Sequence, residues 1–148
     1  MVRKIYQDEI EHYYYALYRP YIEELKKVGG GDGMPLPLLT YHICQGDLEF
    51  FVFDEDKGFA LTEYVKHLEM TFLMEFYVKP GYRRRGIGKE AFNKMDFRTP
   101  VFFTVFRANS TAMSFWEVIT EGWHDIEPTE EQVKFAKSSK LFCIERGN

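Results

Sequence analysis

No stretch of this chain stays apolar long enough to span a bilayer, and no signal-type apolar segment follows Met1-Val2-Arg3-Lys4. A cytoplasmic protein without membrane contact is the expectation. Cysteine is scarce: Cys44 and Cys143 stand alone in separate strand-like segments. That excludes a disulfide framework and fits two buried free thiols in a reducing compartment. The histidines His12, His42, His67 and His124 are isolated, with no ligand spacing between them, so no metal is expected. Positive charge is also in deficit. Nineteen Lys and Arg against 23 Asp and Glu leave a net charge of −4, which argues against nucleic acid as a partner. Repeats and low-complexity tracts are absent.

What remains is a chain of 148 residues, 45% hydrophobic and 28% charged, enough for one domain (1–148) with a sizeable core. Aromatics reach 18%, so that core is expected to be aromatic. Residues 1–6 read as a short strand. Ile10, Tyr14, Leu17, Tyr21, Leu25 and Val28 step at helical spacing through 8–28, with Pro20 expected to kink or split the run. Gly29-Gly30-Gly31-Asp32-Gly33 and Met34-Pro35-Leu36-Pro37 form the most flexible stretch, a plausible mobile edge of a substrate cleft. Leu38–Cys44 reads as a strand or an approach to one. Glu49–Phe53, Phe59–Lys66 and Glu69–Val78 read as an antiparallel meander. Residues 87–97 are helical, Val101–Phe106 a strand and 110–120 a helix. A last antiparallel pair is expected at Trp123–Ile126 and Leu141–Glu145. The order describes a mixed α/β sheet with helices on both faces.

The densest signal lies at Phe76-Tyr77-Val78-Lys79-Pro80-Gly81-Tyr82-Arg83-Arg84-Arg85-Gly86-Ile87-Gly88-Lys89. An apolar strand stops at Pro-Gly, three arginines follow, and a Gly-x-Gly pair opens a helix. Such a turn leaves backbone N–H groups pointing outward at the positive end of the helix dipole, and the arginines add charge that a structural turn does not need. A phosphate-bearing ligand is expected here. A Walker A loop is excluded, because Ile87 and Gly88 stand where lysine and a hydroxyl belong. Gly86-x-Gly88-x-x-Ala91 matches a dinucleotide fingerprint formally. The arginines, however, separate strand from glycines, and no ribose-binding acid follows near Arg107.

Arg83-x-x-Gly86-x-Gly88, after a strand ending Val78-x-Pro80, resembles the pyrophosphate loop of the GNAT (general N-acetyltransferase) superfamily. A second segment agrees: Asn109-x-x-Ala112-x-x-Phe115-Trp116 is similar to the superfamily's later helix motif. Asn109 and Ser110 are good N-caps on physical grounds alone. Residues 70–123 carry most of the resemblance. It implies a GNAT-like single domain whose mixed, mostly antiparallel sheet has a splayed central strand pair, Glu69–Val78 and Val101–Phe106. It implies acetyl-coenzyme A as cosubstrate, held by Phe76, Val78, Arg83, Arg84, Arg85, Gly86, Ile87, Gly88, Lys89, Asn109, Ala112, Phe115 and Trp116. The implied reaction is direct acetyl transfer to a primary amine of a small molecule or peptide, by a monomer or homodimer. The alternative is a coenzyme A-binding sensor or scaffold without turnover.

Such a reaction needs a neutral amine, and an alkyl ammonium has a pKa of about 10.4. Glu75 is the candidate base, a carboxylate inside an apolar strand where burial raises its pKa toward the useful range. Glu63 is second and His67 an outside candidate. One departure stands out: many family members have tyrosine, the presumed acid, where this chain has Trp116, and indole is no usable acid. The acid is therefore unassigned, with Tyr77, Tyr82 or water as options. Tyr13–Tyr15, Tyr18, Glu63 and Glu75 suggest an aromatic, acidic lining that favours a cation.

Overall fold

A computed structural model describes residues 1–147. Seven strands form one sheet in the order β1-β2-β3-β4-β5-β7-β6. They are β1 (Val2–Lys4), β2 (Glu49–Phe53), β3 (Gly58–Val65), β4 (Met70–Val78), β5 (Val101–Val105), β6 (Trp123–Asp125) and β7 (Lys140–Arg146). Every neighbouring pair is antiparallel except β4 and β5. The expected meander is present as β2, β3 and β4. Alternation along these strands divides the core in two. Phe50, Phe59, Leu61 and Tyr77 pack with the N-terminal helices on one face. Ala60, Leu73, Val78, Phe103 and Trp116 pack on the other, with Ala91 and Phe92 of α4 (Ile87–Lys94) and Ile119 of α5 (Ser110–Ile119). The whole is a mixed α/β, mostly antiparallel sheet with helices on both faces.

Residues 7–26 form a continuous helical segment: a 3-10 turn (Gln7–Glu9), α1 (Ile10–Tyr13), a π turn (Tyr14–Tyr18) and α2 (Arg19–Lys26). The division comes at the π turn rather than at Pro20. Pro20 stands in the first turn of α2, directly after the π turn. Leu38–Cys44 is not a strand. It belongs to α3 (Leu36–Gln45), which begins after extended Pro35 and has Pro37 in its first turn. The Pro-Leu-Pro context starts a helix where it had suggested only a break. Cys44 consequently lies exposed on α3, whereas Cys143 is buried on β7, and both are free thiols. A further helix, α6 (Glu130–Ala136), stands between β6 and β7 where none was expected. It opens with a capping box: Gln132 N–H donates to Thr129 Oγ1 at 3.2 Å and Thr129 N–H to Gln132 Oε1 at 2.9 Å.

The glycine stretch after α2 is held against that helix. Gly30 N–H donates to Leu25 O at 2.8 Å, and a Cβ at Gly30 would lie 2.8 Å from that of Leu25. A Cβ at Gly33 would lie 2.7 Å from Ile22 Cδ1 and 2.9 Å from the Tyr18 hydroxyl. These glycines permit close approach of the strap to the helix. Two tyrosines of the π turn fix its far end. Tyr14 O–H donates to Met34 O at 3.0 Å, and Met34 N–H donates to the Tyr18 hydroxyl at 2.8 Å. Tyr18→Phe leaves that amide without its acceptor. A loss of about 1–3 kcal/mol in urea unfolding is expected, with faster hydrogen exchange at Met34 than in the sheet. Unchanged exchange at Met34 would show that the Tyr18 hydroxyl does not hold the strap.

Candidate active site

The β4–β5 ladder is short. Thr71 pairs with Val101 and Phe72 with Phe102, and there the pairing ends. Both strands continue, β4 to Val78 and β5 to Val105, diverging in a V. Their outer edges stay paired with β3 and β7. Lys79 N–H donates to Lys57 O at 2.9 Å, which sets the alternation along β4. Glu75 and Tyr77 turn their backbone groups to β3, while Phe76 and Val78 turn theirs to the open side. The splayed central pair expected from the resemblance is therefore present. The backbone groups of Phe76 and the N–H of Val78 line its inner edge without a partner among the described residues, while Val78 O accepts from Arg83.

A β-bulge decides what faces the opening. On β3, Thr62 opposes Leu73 and Leu61 opposes Glu75, so Met74 is the extra residue of β4. In regular alternation Leu73 and Glu75 would share a face. With the bulge, Leu73 joins the core beneath α4 and α5, and Glu75 turns toward α2. Alternation from Tyr77 places Glu75 on the α2 face, and the bulge is what lets Leu73, two positions before it, face the other layer.

At the V is a cleft of about 290 Å³. Glu75 and Phe76 line it together with Asn109, Ala112 and Trp116 of the α5 motif, and Tyr21, Leu25 and the glycine strap close the opposite side. Two distant segments singled out in the sequence thus meet in one place. Tyr21, which sequence reasoning treated only as a helix position, donates its hydroxyl to Glu75 Oε1 at 3.2 Å. The carboxylate keeps an edge toward the cleft but is otherwise enclosed. Burial pushes its pKa up to about 7, against the smaller downward pull of the Tyr21 hydrogen bond. Burial and then the Glu75 charge hold the Tyr21 phenol well above 10.

The turn before α4 supplies the anion-binding geometry. The first backbone bond closing α4 is Glu90 N–H to Gly86 O at 2.9 Å. Among the described residues, no backbone carbonyl or side chain accepts from the amides of Arg84 to Lys89. Arg84 and Gly86 have φ of +64° and +79°, which curl the chain so that these amides converge. Gly88 is forced by packing, since a Cβ there would lie 2.7 Å from the Phe115 ring. Arg84, Arg85 and Lys89 are exposed and enter no ion pair among the described residues. Arg83 is directed elsewhere. Its Nε donates to Val78 O at 2.8 Å, its Nη2 pairs with Glu24 at 2.7 Å, and its guanidinium lies 5.6 Å from the Tyr77 ring centre. It ties the end of β4 to α2.

Asn109 caps α5, its Oδ1 accepting from Ala112 N–H at 3.1 Å. Trp116 is 6% exposed, with the rings of Phe103, Phe76, Phe115 and Phe92 at 4.3, 5.0, 5.0 and 5.3 Å between centres. Its indole N–H has no protein acceptor, yet no buried side-chain nitrogen is left unpartnered among the described residues, so it opens to solvent. Tyr77 lies in the core and Tyr82 between Lys57 and Arg85. Neither lines the cleft. Glu63 is outside the cleft as well, and exposed His67 pairs with Glu131 of α6 at 2.9 Å. The acidic lining inferred from sequence reduces to Glu75. No cluster of His, Cys, Asp and Glu suited to a metal ion occurs among the described residues. No helix is long and apolar enough to cross a membrane.

Known structures share this arrangement. An aminoglycoside acetyltransferase from an uncultured soil metagenomic sample, in complex with sisomicin, is 15% identical; the match covers 87% of this chain and 92% of that one, with a TM-score of 0.66. The diaminobutyrate acetyltransferase of Paenibacillus lautus, in complex with L-2,4-diaminobutyric acid and coenzyme A, is 14% identical, covering 97% and 93%, also at 0.66. The PaiA N-acetyltransferase of Thermoplasma acidophilum, with coenzyme A, is 17% identical, covering 100% and 98%, at 0.64. At these identities the likeness is one of fold. No curated protein sequence matches the chain. The sequence profile described as "Acetyltransferase (GNAT) family" matches residues 12–118, spanning both the Gly-rich turn and the α5 motif. The chain belongs to the GNAT acetyltransferase family.

Proposed function

We propose that this protein moves an acetyl group from acetyl-coenzyme A to a primary amine of a small molecule or peptide. The observation that carries the reading is the meeting of Glu75 with the V between β4 and β5. There an enclosed carboxylate faces an unpaired strand edge and stands beside the α5 motif. The chain's residues fit acetyl-coenzyme A. The free amides of Arg84 to Lys89, with Arg84, Arg85 and Lys89 around them, suit a pyrophosphate. The open backbone groups of Phe76 and the N–H of Val78, with Asn109, Ala112, Phe115 and Trp116, would hold the arm. Bound there, the cosubstrate would supply an activated acetyl group as a thioester open to direct attack by an amine.

The protein's own part is proton management and orientation. Glu75, with its pKa at about 7, is half ionised near neutrality and accepts a proton from an ammonium at the mouth of the cleft. Tyr21 fixes one of its oxygens. A free N–H on the β4 edge can donate to an oxygen that gains negative charge. Arg83 serves this arrangement by anchoring β4 to α2 rather than by reaching outward. Trp116 walls the cleft as an apolar surface. It leaves the proton for a departing thiolate to another donor.

Two variants test the reading. Gly86→Glu puts a carboxylate among the amides, at a position whose φ of +79° disfavours any side chain. Loss of acetyl-coenzyme A binding in calorimetry is expected, with the circular dichroism spectrum retained; unchanged affinity would remove the site. Glu75→Gln should bind the cosubstrate normally and lower the neutral-pH rate by about a hundredfold or more, the deficit shrinking as the amine deprotonates unaided. A second readout is stability. The folded Glu75 carboxyl holds its proton up to about pH 7, while in the unfolded chain it ionises near 4.5. Wild-type stability therefore falls across that window, and the cost levels off above it. Relative to wild type, Glu75→Gln should gain nothing in melting temperature at about pH 4 and most at about pH 8. A constant difference at all pH values would mean that Glu75 is ordinarily solvated.

A further inference from the structure

The acetyl-transfer reading leaves the acceptor open, and the charges around the cleft narrow it. Among all the residues lining the cleft, Glu75 alone carries an ionisable acid or base other than the Tyr21 phenol. The acceptor side is Ile22, Leu25 and Met74 with the main chain of Gly30, Gly31 and Gly33. On α2 and the strap most charged groups are engaged with one another. Glu24 pairs with Arg83 at 2.7 Å, and Lys26 with Glu23 at 3.4 Å and Asp32 at 3.2 Å. At about 290 Å³, shared with the acetyl end of the cosubstrate, the cleft is at the small end for ligand sites.

We propose that the acceptor is a compact amine bearing one positive charge and an apolar body, and not a polyamine, an aminoglycoside or an amino acid. The proposal rests on the transfer reading and specifies its substrate class. One ammonium finds its counter-charge in Glu75. A second would leave water for a wall of Ile22, Leu25 and Met74 with no carboxylate to meet it. A substrate carboxylate fares worse, because no cation lines the cleft and Glu75 repels it. An aliphatic or aromatic body, by contrast, is matched by the same wall. The glycine strap cannot swing aside freely to admit a multi-ring cation, since Gly30 and Gly33 are seated on Leu25 and Ile22 and the tyrosine hydroxyls hold Met34.

Gly31 offers a way to change the charge count without disturbing the fold. It lines the cleft, its φ is not left-handed, and an added Cβ meets no atom within 4 Å. The experiment is a thiol-release assay with saturating acetyl-coenzyme A over 2-phenylethylamine, tyramine, spermidine, 2,4-diaminobutyrate and an aminoglycoside, for wild type and Gly31→Glu. For wild type, kcat/KM of the arylalkyl monoamines should exceed that of the other three by about tenfold to a hundredfold. Gly31→Glu should raise the spermidine-to-monoamine ratio by about fivefold, as expected for one exposed carboxylate. A wild-type preference for spermidine, diaminobutyrate or the aminoglycoside leaves acetyl transfer standing and overturns the inference. An unmoved ratio in Gly31→Glu, with the fold intact by circular dichroism, also overturns it. Turnover of none of the amines, with acetyl-coenzyme A bound by calorimetry, removes the transfer reading and this inference with it.

Discussion

Past Phe72 and Phe102 the two parallel strands at the sheet's centre stop sharing hydrogen bonds, and the edges that separate must each be held from outside. An opened ladder exposes backbone groups that would otherwise pair, so a sheet keeps one only where other contacts over-determine it. Here β3 holds one arm through eight paired positions and β7 the other through five. Beside the fork, Trp116 packs among Phe76, Phe92 and Phe103 and forms one wall of the cleft. The cleft and the free backbone edge at Phe76 follow from the separation of the two strands.

The Met74 bulge then divides the faces of β4. One inserted residue reverses the parity between the two halves of β4, so Glu75 points at α2 beside Tyr77 while Leu73 packs into the α4–α5 core. Enclosure of Glu75 raises its pKa, and the Tyr21 hydroxyl holds it in place. Arg83 shows a related economy. The first arginine of the loop motif acts as a strut between β4 and α2, leaving Arg84, Arg85 and Lys89 as the exposed cations around the free amides.

Much of this was legible from local pattern. The turn at 81–89 and the cap at Asn109 are local devices whose residues state their geometry: positive φ at Gly86, a side-chain oxygen three residues before the amide it accepts from. The strands β2, β3, β4 and β5 are apolar runs bounded by breakers, and they lie where those runs lie. The failures have local causes too. Leu38–Cys44 is short and apolar, where strand and helix patterns coincide, and the deciding signal was Pro37 in a first helical turn. The Thr129-x-x-Gln132 box marks α6 for the same kind of reason, but seven residues are too few for periodicity to speak. The glycine strap reads as flexible because glycine is permissive. In the folded chain two of its glycines serve close packing against α2.

The sequence by itself determined the family, most of the order of elements, the Gly-rich turn with its outward amides and the suspicion that Glu75 matters, because each rests on residues near one another in the chain. Tertiary structure alone decided that Tyr21 meets Glu75 across 54 positions, that a bulge puts Leu73 and Glu75 on opposite faces, and that Glu63 and the other tyrosines stay out of the cleft. It also decided that the cleft holds a single carboxyl group. Parity across a bulge and pairing between distant helices and strands depend on how the layers pack, and no local spacing encodes them.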